Sequence, residues 1–200
     1  SRGLGDVYKR QGYENLSEEK KIQNLSRLNV RINSNKFQND LAKSTVESIE
    51  LISQIQKSNG QKGCHRYIIS NNYSSVNIIE VFTMIRLTLG YNFNVDIVPL
   101  FESISDLENA SIIMDKIYSN KPYINHLKRR GDIQNIMLGF SDGTKDGGYL
   151  TANWSILKAK ESLTKVSRKY GIKVVFFDGR GGPPARGGGC LLYTSPSPRD

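Results

Sequence analysis

The segment IQNIMLGFSDGTKDGG, residues 133–148, decides the fold class, because a short apolar run gives way abruptly to a polar, glycine-rich stretch. Residues 133–140 predict a buried strand. Residues 149–170 have apolar side chains at helical spacing and predict a long helix that ends at Gly171. The segment is therefore typical of the turn between a strand and a helix, and we expect residues 141–148 to form a loop there.

The same alternation of strand and helix continues on both sides of this segment. Further strands are predicted at 67–69, 95–101 and 173–177, and further helices at 35–56, 76–87 and 107–118. Ser105 and Glu108 fit a capping box for the last of these helices. The alternation predicts an α/β protein with a parallel sheet, either a doubly wound open sheet or part of a (β/α)8 barrel, of which four strands are half.

Both architectures gather functional residues at the carboxyl ends of their strands. Charged side chains follow three of the predicted strands there. They are Glu102, then Asp142 and Lys145, then Arg180 and Arg186 within the glycine-rich segment 179–189. We therefore expect these five residues to lie on one rim of the sheet.

The residue types on this rim suit an anionic substrate held with a metal ion. Mg²⁺ and Mn²⁺ prefer oxygen ligands and keep positions open for water and substrate, so Glu102 and Asp142 are the candidate metal ligands. Lys145 can act as a point charge on a phosphate or carboxylate, and Arg180 and Arg186 can bind such groups through two hydrogen bonds each. The glycines let backbone amides approach the ligand and let segment 179–189 move as a loop.

Composition excludes several other classes. The 200 residues carry a formal charge of +9, but the basic residues are dispersed, so we do not expect a nucleic-acid-binding protein. Lys128 to Arg130 is interpreted as a solvated turn. No run of about 18 apolar residues and no signal-peptide pattern occurs, so neither a membrane partner nor export is expected and a cytoplasmic location is the working hypothesis.

Residues 1–11 and 190–200 are interpreted as artefacts. One choice of codons for Cys190 to Asp200, reverse-complemented and read from its second nucleotide, encodes Ser1 to Gln11 once a final G is added. The nucleotide string resembles a transposase sequencing adapter, so the authentic protein is predicted to span 12–189. Without the terminal segments the formal charge falls to +7, and Cys64 is the sole cysteine, which excludes an internal disulfide.

The three strand ends resemble those of phosphoenolpyruvate carboxylases. Residues 136–148, IMLGFSDGTKDGG, are similar to the family's active-site lysine motif, and residues 176–189, FFDGRGGPPARGGG, to its mobile glycine-arginine loop. Residues 98–102, VPLFE, resemble its metal-glutamate strand, and residues 67–70 the strand before. The resemblance extends over essentially all of 12–189.

The resemblance implies an internal fragment of a mostly helical, cytosolic enzyme built around a (β/α)8 barrel, usually a homotetramer. Such an enzyme adds bicarbonate to phosphoenolpyruvate and releases oxaloacetate and phosphate, with Mg²⁺ or Mn²⁺ as cofactor. The implied metal ligands are Glu102 and Asp142, and Lys145 is the implied active-site lysine. Arg180 is the implied phosphate contact, and Arg186 is the implied loop arginine near bicarbonate or carboxyphosphate.

The sequence departs from the family pattern at Phe140, Gly143 and Gly147, where Tyr, Ser and Ala are commoner, and at Asp178, where many members have His. The family's catalytic histidine and a further phosphate-binding arginine lie outside this segment, so the isolated fragment is expected to be inactive. Two alternatives remain open here: another metal-dependent phosphoenolpyruvate or pyruvate barrel, such as an aldolase or mutase, and a non-enzymatic anion-binding module.

Overall fold

The computed structural model describes residues 12–179, which contain six α-helices and four strands. None of the helices in this range is long and apolar enough to cross a membrane. In chain order the elements are α1 (Glu18–Arg27), α2 (Asp40–Asn59), β1 (Arg66–Ile69), α3 (Ser75–Leu89), β2 (Asp96–Phe101), α4 (Ile104–Ser119), α5 (Lys121–Arg129), β3 (Ile133–Gly139), α6 (Ser141–Lys169) and β4 (Lys173–Gly179).

The four strands form one parallel sheet in the order β1-β2-β3-β4. Ile68 pairs with Val98, Leu100 with Met137, and Met137 in turn with Phe177. A doubly wound sheet reverses its strand order at a switch point, whereas a barrel wall adds each new strand on the same side. The described strands do not reverse, so the predicted α/β class is confirmed and the sheet is consistent with a partial barrel.

One face of the sheet packs against the helices and forms the core. Phe101 on β2 and Ile136 and Leu138 on β3 are fully buried, together with Met114 of α4 and Leu163 of α6. Each such side chain contributes about 1.5–3 kcal/mol of burial free energy. This face therefore fixes the strands, and with them their carboxyl ends.

The opposite face keeps apolar side chains in solvent at both edges of the sheet. Ile68 on β1 is 50% exposed and Phe177 on β4 is 58% exposed, and the strand register places both on this face. Val175, two residues before Phe177, is 37% exposed. Exposed apolar surface of this kind usually marks a region that another part of a protein covers.

Helix α6 differs from the sequence prediction at its start. Residues 141–148, predicted as a loop, form its first turns, because Thr144 donates its backbone N–H and its hydroxyl to the Phe140 carbonyl at 3.0 and 2.7 Å. Gly148, with φ 79°, breaks the helical geometry and kinks the helix there. The expected boundary at residue 149 is therefore a kink within one helix.

Three other local expectations are wrong. The capping box of α4 uses Ser103 and Asp106 rather than Ser105 and Glu108, so the helix begins one turn earlier. Lys128 and Arg129 form the last turn of α5 rather than a solvated turn, and Arg130, at its end, pairs with Asp96 at 2.6 Å. The third is α2, which begins at Asp40 rather than at residue 35.

Candidate active site at the carboxyl ends of the strands

Glu102 directly follows β2 and lies against the end of β3. A Cβ atom placed on Gly139, the last residue of β3, would lie 3.0 Å from the Cα of Glu102 and 3.1 Å from its Cγ. These distances are shorter than an ordinary carbon–carbon contact of about 3.5–4.0 Å. The two strand ends approach this closely because residue 139 has no side chain.

Asp142 lies beside Glu102, in the first turn of α6. A Cβ on its neighbour Gly143 would lie 3.5 Å from the Glu102 carbonyl oxygen, so this turn lies next to the end of β2. Burial raises the pKa of Glu102, and the negative charges of Asp142 and then Asp106 raise it further. The predicted pair thus lies at one end of the sheet and is electrostatically coupled.

Asp106 is the third carboxylate near this point, but it serves the helix cap. Its Oδ2 accepts the backbone N–H of Ser103 at 3.1 Å, and its own N–H donates to the Ser103 hydroxyl at the same distance. Within residues 12–179, no group of three or more His, Cys, Asp or Glu side chains is arranged to hold a metal ion. With Asp106 bonded to Ser103, the candidate carboxylate ligands at this point are Glu102 and Asp142.

That donor set fits Mg²⁺ or Mn²⁺. These ions take oxygen ligands and usually bind through one or two carboxylates, with water and substrate oxygens in the other positions. Burial is the largest cause of the raised pKa of Glu102, and the repulsion from Asp142 adds to it. A bound cation would offset that repulsion. The two residues are therefore suited to a divalent cation both chemically and electrostatically.

Lys145 lies one turn beyond Asp142 on the same helix. Its Nζ is 2.8 Å from Asp142 Oδ1, and the side chains of Lys145 and Asp142 are 77% and 52% exposed. An ion pair this exposed contributes only about 0–1 kcal/mol, so it can open at little cost. Lys145 can therefore release Asp142 and turn its charge toward an incoming anion.

Arg180 and Arg186 lie outside the described residues, as does the predicted loop 179–189 apart from Gly179. Gly179 ends β4 and pairs with Gly139, so the chain leaves the sheet at the same end as Glu102. The residue before it, Asp178, is bound by Lys160 of α6, whose Nζ lies 2.8 and 2.9 Å from the two carboxylate oxygens.

Lys160 and Asn72 are two further residues near the strand ends that were not predicted from the sequence. Asn72 is buried just beyond β1, and its Nδ2 donates to the carbonyls of Ile69 and Leu100 at 2.5 and 3.0 Å, which ties two strand ends together. Its position shortly after a predicted strand was the available signal. Lys160 carried no such signal, because a lysine in a helix is ordinarily a surface residue.

Comparison with known proteins identifies the family of this chain. The chain matches the model of the family "Phosphoenolpyruvate carboxylase" over residues 4–193. The chain is similar to a protein named phosphoenolpyruvate carboxylase from Nitrosomonas eutropha, with 34% identity over 82% of this chain and 18% of that protein. A protein of the same name from Prochlorococcus marinus is 32% identical over 88% of this chain and 19% of its own length. A third, from Corynebacterium diphtheriae, is 41% identical over 65% of this chain and 14% of its own length.

The chain thus spans less than a fifth of the length of these relatives. Their names do not favour the aldolase, mutase or anion-binding alternatives. The family match covers far more than half of the residues, including the ends of all four strands. The chain belongs to the phosphoenolpyruvate carboxylase family.

Proposed function

We propose that the full-length protein is a phosphoenolpyruvate carboxylase, which converts phosphoenolpyruvate and bicarbonate to oxaloacetate and phosphate. Residues 12–189 supply part of its catalytic barrel. The observation that carries this proposal is the close approach of Glu102 to the first turn of α6, which brings two carboxylates and a lysine to one end of a parallel sheet in a member of this family.

Glu102 and Asp142 would hold the Mg²⁺ or Mn²⁺ cofactor. When bound, this ion withdraws electron density from substrate oxygens and offsets negative charge that develops on them. The raised pKa of Glu102 and the charge of Asp142 beside it support the assignment. The start of α6 also presents Lys145, which lies one turn beyond Asp142.

The reaction moves a phosphoryl group from the enol oxygen of phosphoenolpyruvate to a bicarbonate oxygen. The enolate left behind forms a carbon–carbon bond with the carboxyl carbon, and phosphate departs. Negative charge therefore shifts from the phosphoryl group to the enolate during the reaction, and fixed positive charges stabilise that change. Arg180 contacts the phosphate, Arg186 contacts bicarbonate or carboxyphosphate, and Lys145 supplies a third positive charge.

Residues outside this segment complete the enzyme. We propose further barrel strands, which would cover the exposed Ile68 and Phe177 at the two edges of the sheet. Homotetramer assembly and a cytoplasmic location follow from the family resemblance. An isolated polypeptide of these 200 residues should form no oxaloacetate from phosphoenolpyruvate, bicarbonate and Mg²⁺, because the open sheet leaves the site incomplete.

The proposal is tested in the full-length protein by coupling oxaloacetate formation to NADH oxidation by malate dehydrogenase. Wild-type protein should require phosphoenolpyruvate, bicarbonate and Mg²⁺ or Mn²⁺ together. Glu102→Gln should abolish activity at ordinary metal concentrations, whereas Glu108→Gln, which changes an exposed acid on α4, should not. A wild-type enzyme that forms oxaloacetate without divalent metal would overturn the metal assignment, and one that forms none would overturn the function.

A further inference from the structure

The carboxyl end of β4, next to the candidate active site, is held by an ion pair that the proposed reaction does not use. Lys160 of α6 approaches both carboxylate oxygens of Asp178, at 2.8 and 2.9 Å. The Lys160 ammonium donates a hydrogen bond to Oδ2, and its charge also lies against Oδ1. The Lys160 ammonium also lies 5.8 Å from the centre of the Phe176 ring, on the same strand.

This pair is better shielded than the other lysine–carboxylate pairs on α6. Both side chains are 32% exposed, against 77% and 52% for Lys145 and Asp142. Lys158 and Glu161, on the same helix, are 55% and 58% exposed. Partial burial weakens solvent screening, so Lys160–Asp178 should restrain the chain more strongly than its neighbours do.

Asp178 lies at the end of the sheet where the candidate active site is found. Asp178 pairs with Leu138 and the next residue, Gly179, pairs with Gly139, which lies against Glu102. Arg180 follows directly in the chain. The partner lysine belongs to α6, the helix whose first turns carry Asp142 and Lys145. One ion pair therefore joins the strand that leads to the arginines to the helix that carries the lysine and a carboxylate.

We infer that Lys160 and Asp178 are positioning residues that hold the carboxyl end of β4, directly before Arg180 in the chain, at a fixed place relative to Asp142 and Lys145. The inference rests on the proposed function of the rim. Gly179 strengthens it, because a Cβ there would lie 2.9 Å from Met137 Cε and 3.3 Å from the Leu138 carbonyl oxygen. The end of β4 is thus held from two sides, by the crowded sheet and by Lys160.

The test is a double-mutant cycle in the full-length enzyme, with Lys160→Met, Asp178→Asn and the combined variant. Misplacing a catalytic group by about 1 Å can cost about 100-fold in rate, and loosening the end of β4 should cost less, so we expect each single variant to lose about 10-fold in kcat/KM. The combined variant should be no worse than the worse single variant, because both substitutions remove the same contact. Lys160→Arg should recover most of the loss.

The matched control is Lys158→Met, which removes the exposed pair on the same helix and should leave kcat and KM unchanged. The midpoint of thermal unfolding should fall further in Lys160→Met than in Lys158→Met, because the Lys160 pair is less exposed. Activity is therefore measured well below both midpoints, which separates positioning from stability. Should Lys160→Met fail to fold, Lys160→Gln carries the same test.

Normal kcat/KM in both single variants, additive losses in the combined variant, or an equal loss in Lys158→Met would each overturn the inference. A wild-type enzyme without carboxylase activity would instead overturn the proposed function. The two failures are therefore distinguishable in one set of measurements.

Discussion

Replacing Gly139 with alanine tests whether the approach of β3 to Glu102 sets the site geometry. The added Cβ would lie 3.0 Å from Glu102 Cα and 3.1 Å from its Cγ. Against an ordinary contact of about 3.5–4.0 Å, the two strand ends must separate by about 0.5–1 Å. Overpacking of this size should cost about 1–3 kcal/mol of unfolding free energy.

The displacement should affect catalysis more than its stability cost suggests. Since about 1 Å of misplacement can cost about 100-fold, a shift of half that size at Glu102 should lower kcat/KM on the order of 10-fold. The Mg²⁺ concentration for half-maximal activity should rise as well, because one of the two proposed ligands moves. The assay is oxaloacetate formation by the full-length enzyme across a Mg²⁺ titration.

Gly143→Ala is the matched control, since Gly143 also borders Glu102. Its Cβ would lie 3.5 Å from the Glu102 carbonyl oxygen and 3.6 Å from Ala152 Cβ, which are ordinary contacts. Alanine also favours a helix over glycine by about 1 kcal/mol. Normal metal dependence and normal kcat/KM in Gly139→Ala, or equal losses in both variants, would refute the reasoning.

Three further predictions concern charged groups. In the metal-free protein, Asp142→Asn should lower the pKa of Glu102 toward its usual value, although burial keeps that pKa somewhat raised. The measurement is a ¹³C NMR titration of labelled glutamate, and an unchanged pKa would contradict the electrostatic effect of Asp142 on Glu102. Lys145→Ala should reduce kcat/KM severely yet change unfolding free energy by less than about 1 kcal/mol, because its ion pair is exposed; a large loss of stability would show that it acts structurally. Burial lowers the pKa of His126 to about 4, below its unfolded value, so its contribution to stability is complete above pH 6.5 and is lost as pH falls toward 4. By pH 5 the loss of unfolding free energy, measured by urea unfolding, should reach about 2 kcal/mol. The loss should be absent in His126→Phe, and an equal pH dependence of the two proteins would disprove the prediction.

The strands were predictable because buried parallel strands are continuous apolar runs. The predicted strand 95–101 corresponds to Asp96–Phe101, and 133–140 to Ile133–Gly139. The start of α6 was not predictable by the same means, since Gly143, Gly147 and Gly148 all disfavour a helix. Tertiary contacts override that preference, among them the edge-on packing of Tyr149 on Phe140 at 5.6 Å.

The cap of α4 illustrates a second limit. Ser103 and Ser105 each begin a pattern that fits a capping box, and the choice between them depends on where β2 ends. Short helices were missed altogether: α5 has only nine residues and carries Pro122 near its start, which resembles a turn signal.

The placement of Glu102 and Asp142 at one end of the sheet was predictable from the sequence, because each follows a strand within three residues and strand ends converge in a parallel sheet. Their role as metal ligands stays a prediction. Lys160 was not, since its contact with Asp178 depends on how α6 is rotated against β4. The roles of Arg180 and Arg186 stay predictions from the residue pattern and the family resemblance. The interpretation of residues 1–11 and 190–200 as adapter sequence also stays a prediction.

The most direct test of the central claim is the metal dependence of the full-length enzyme with Asp142 intact and replaced. After removal of metal by EDTA, wild-type protein should form no oxaloacetate from phosphoenolpyruvate and bicarbonate and should regain activity on addition of Mg²⁺ or Mn²⁺. Asp142→Asn should stay inactive over the same titration while its unfolding midpoint stays close to that of wild type. Near-normal activity of Asp142→Asn at the metal concentration that saturates the wild type would contradict the account.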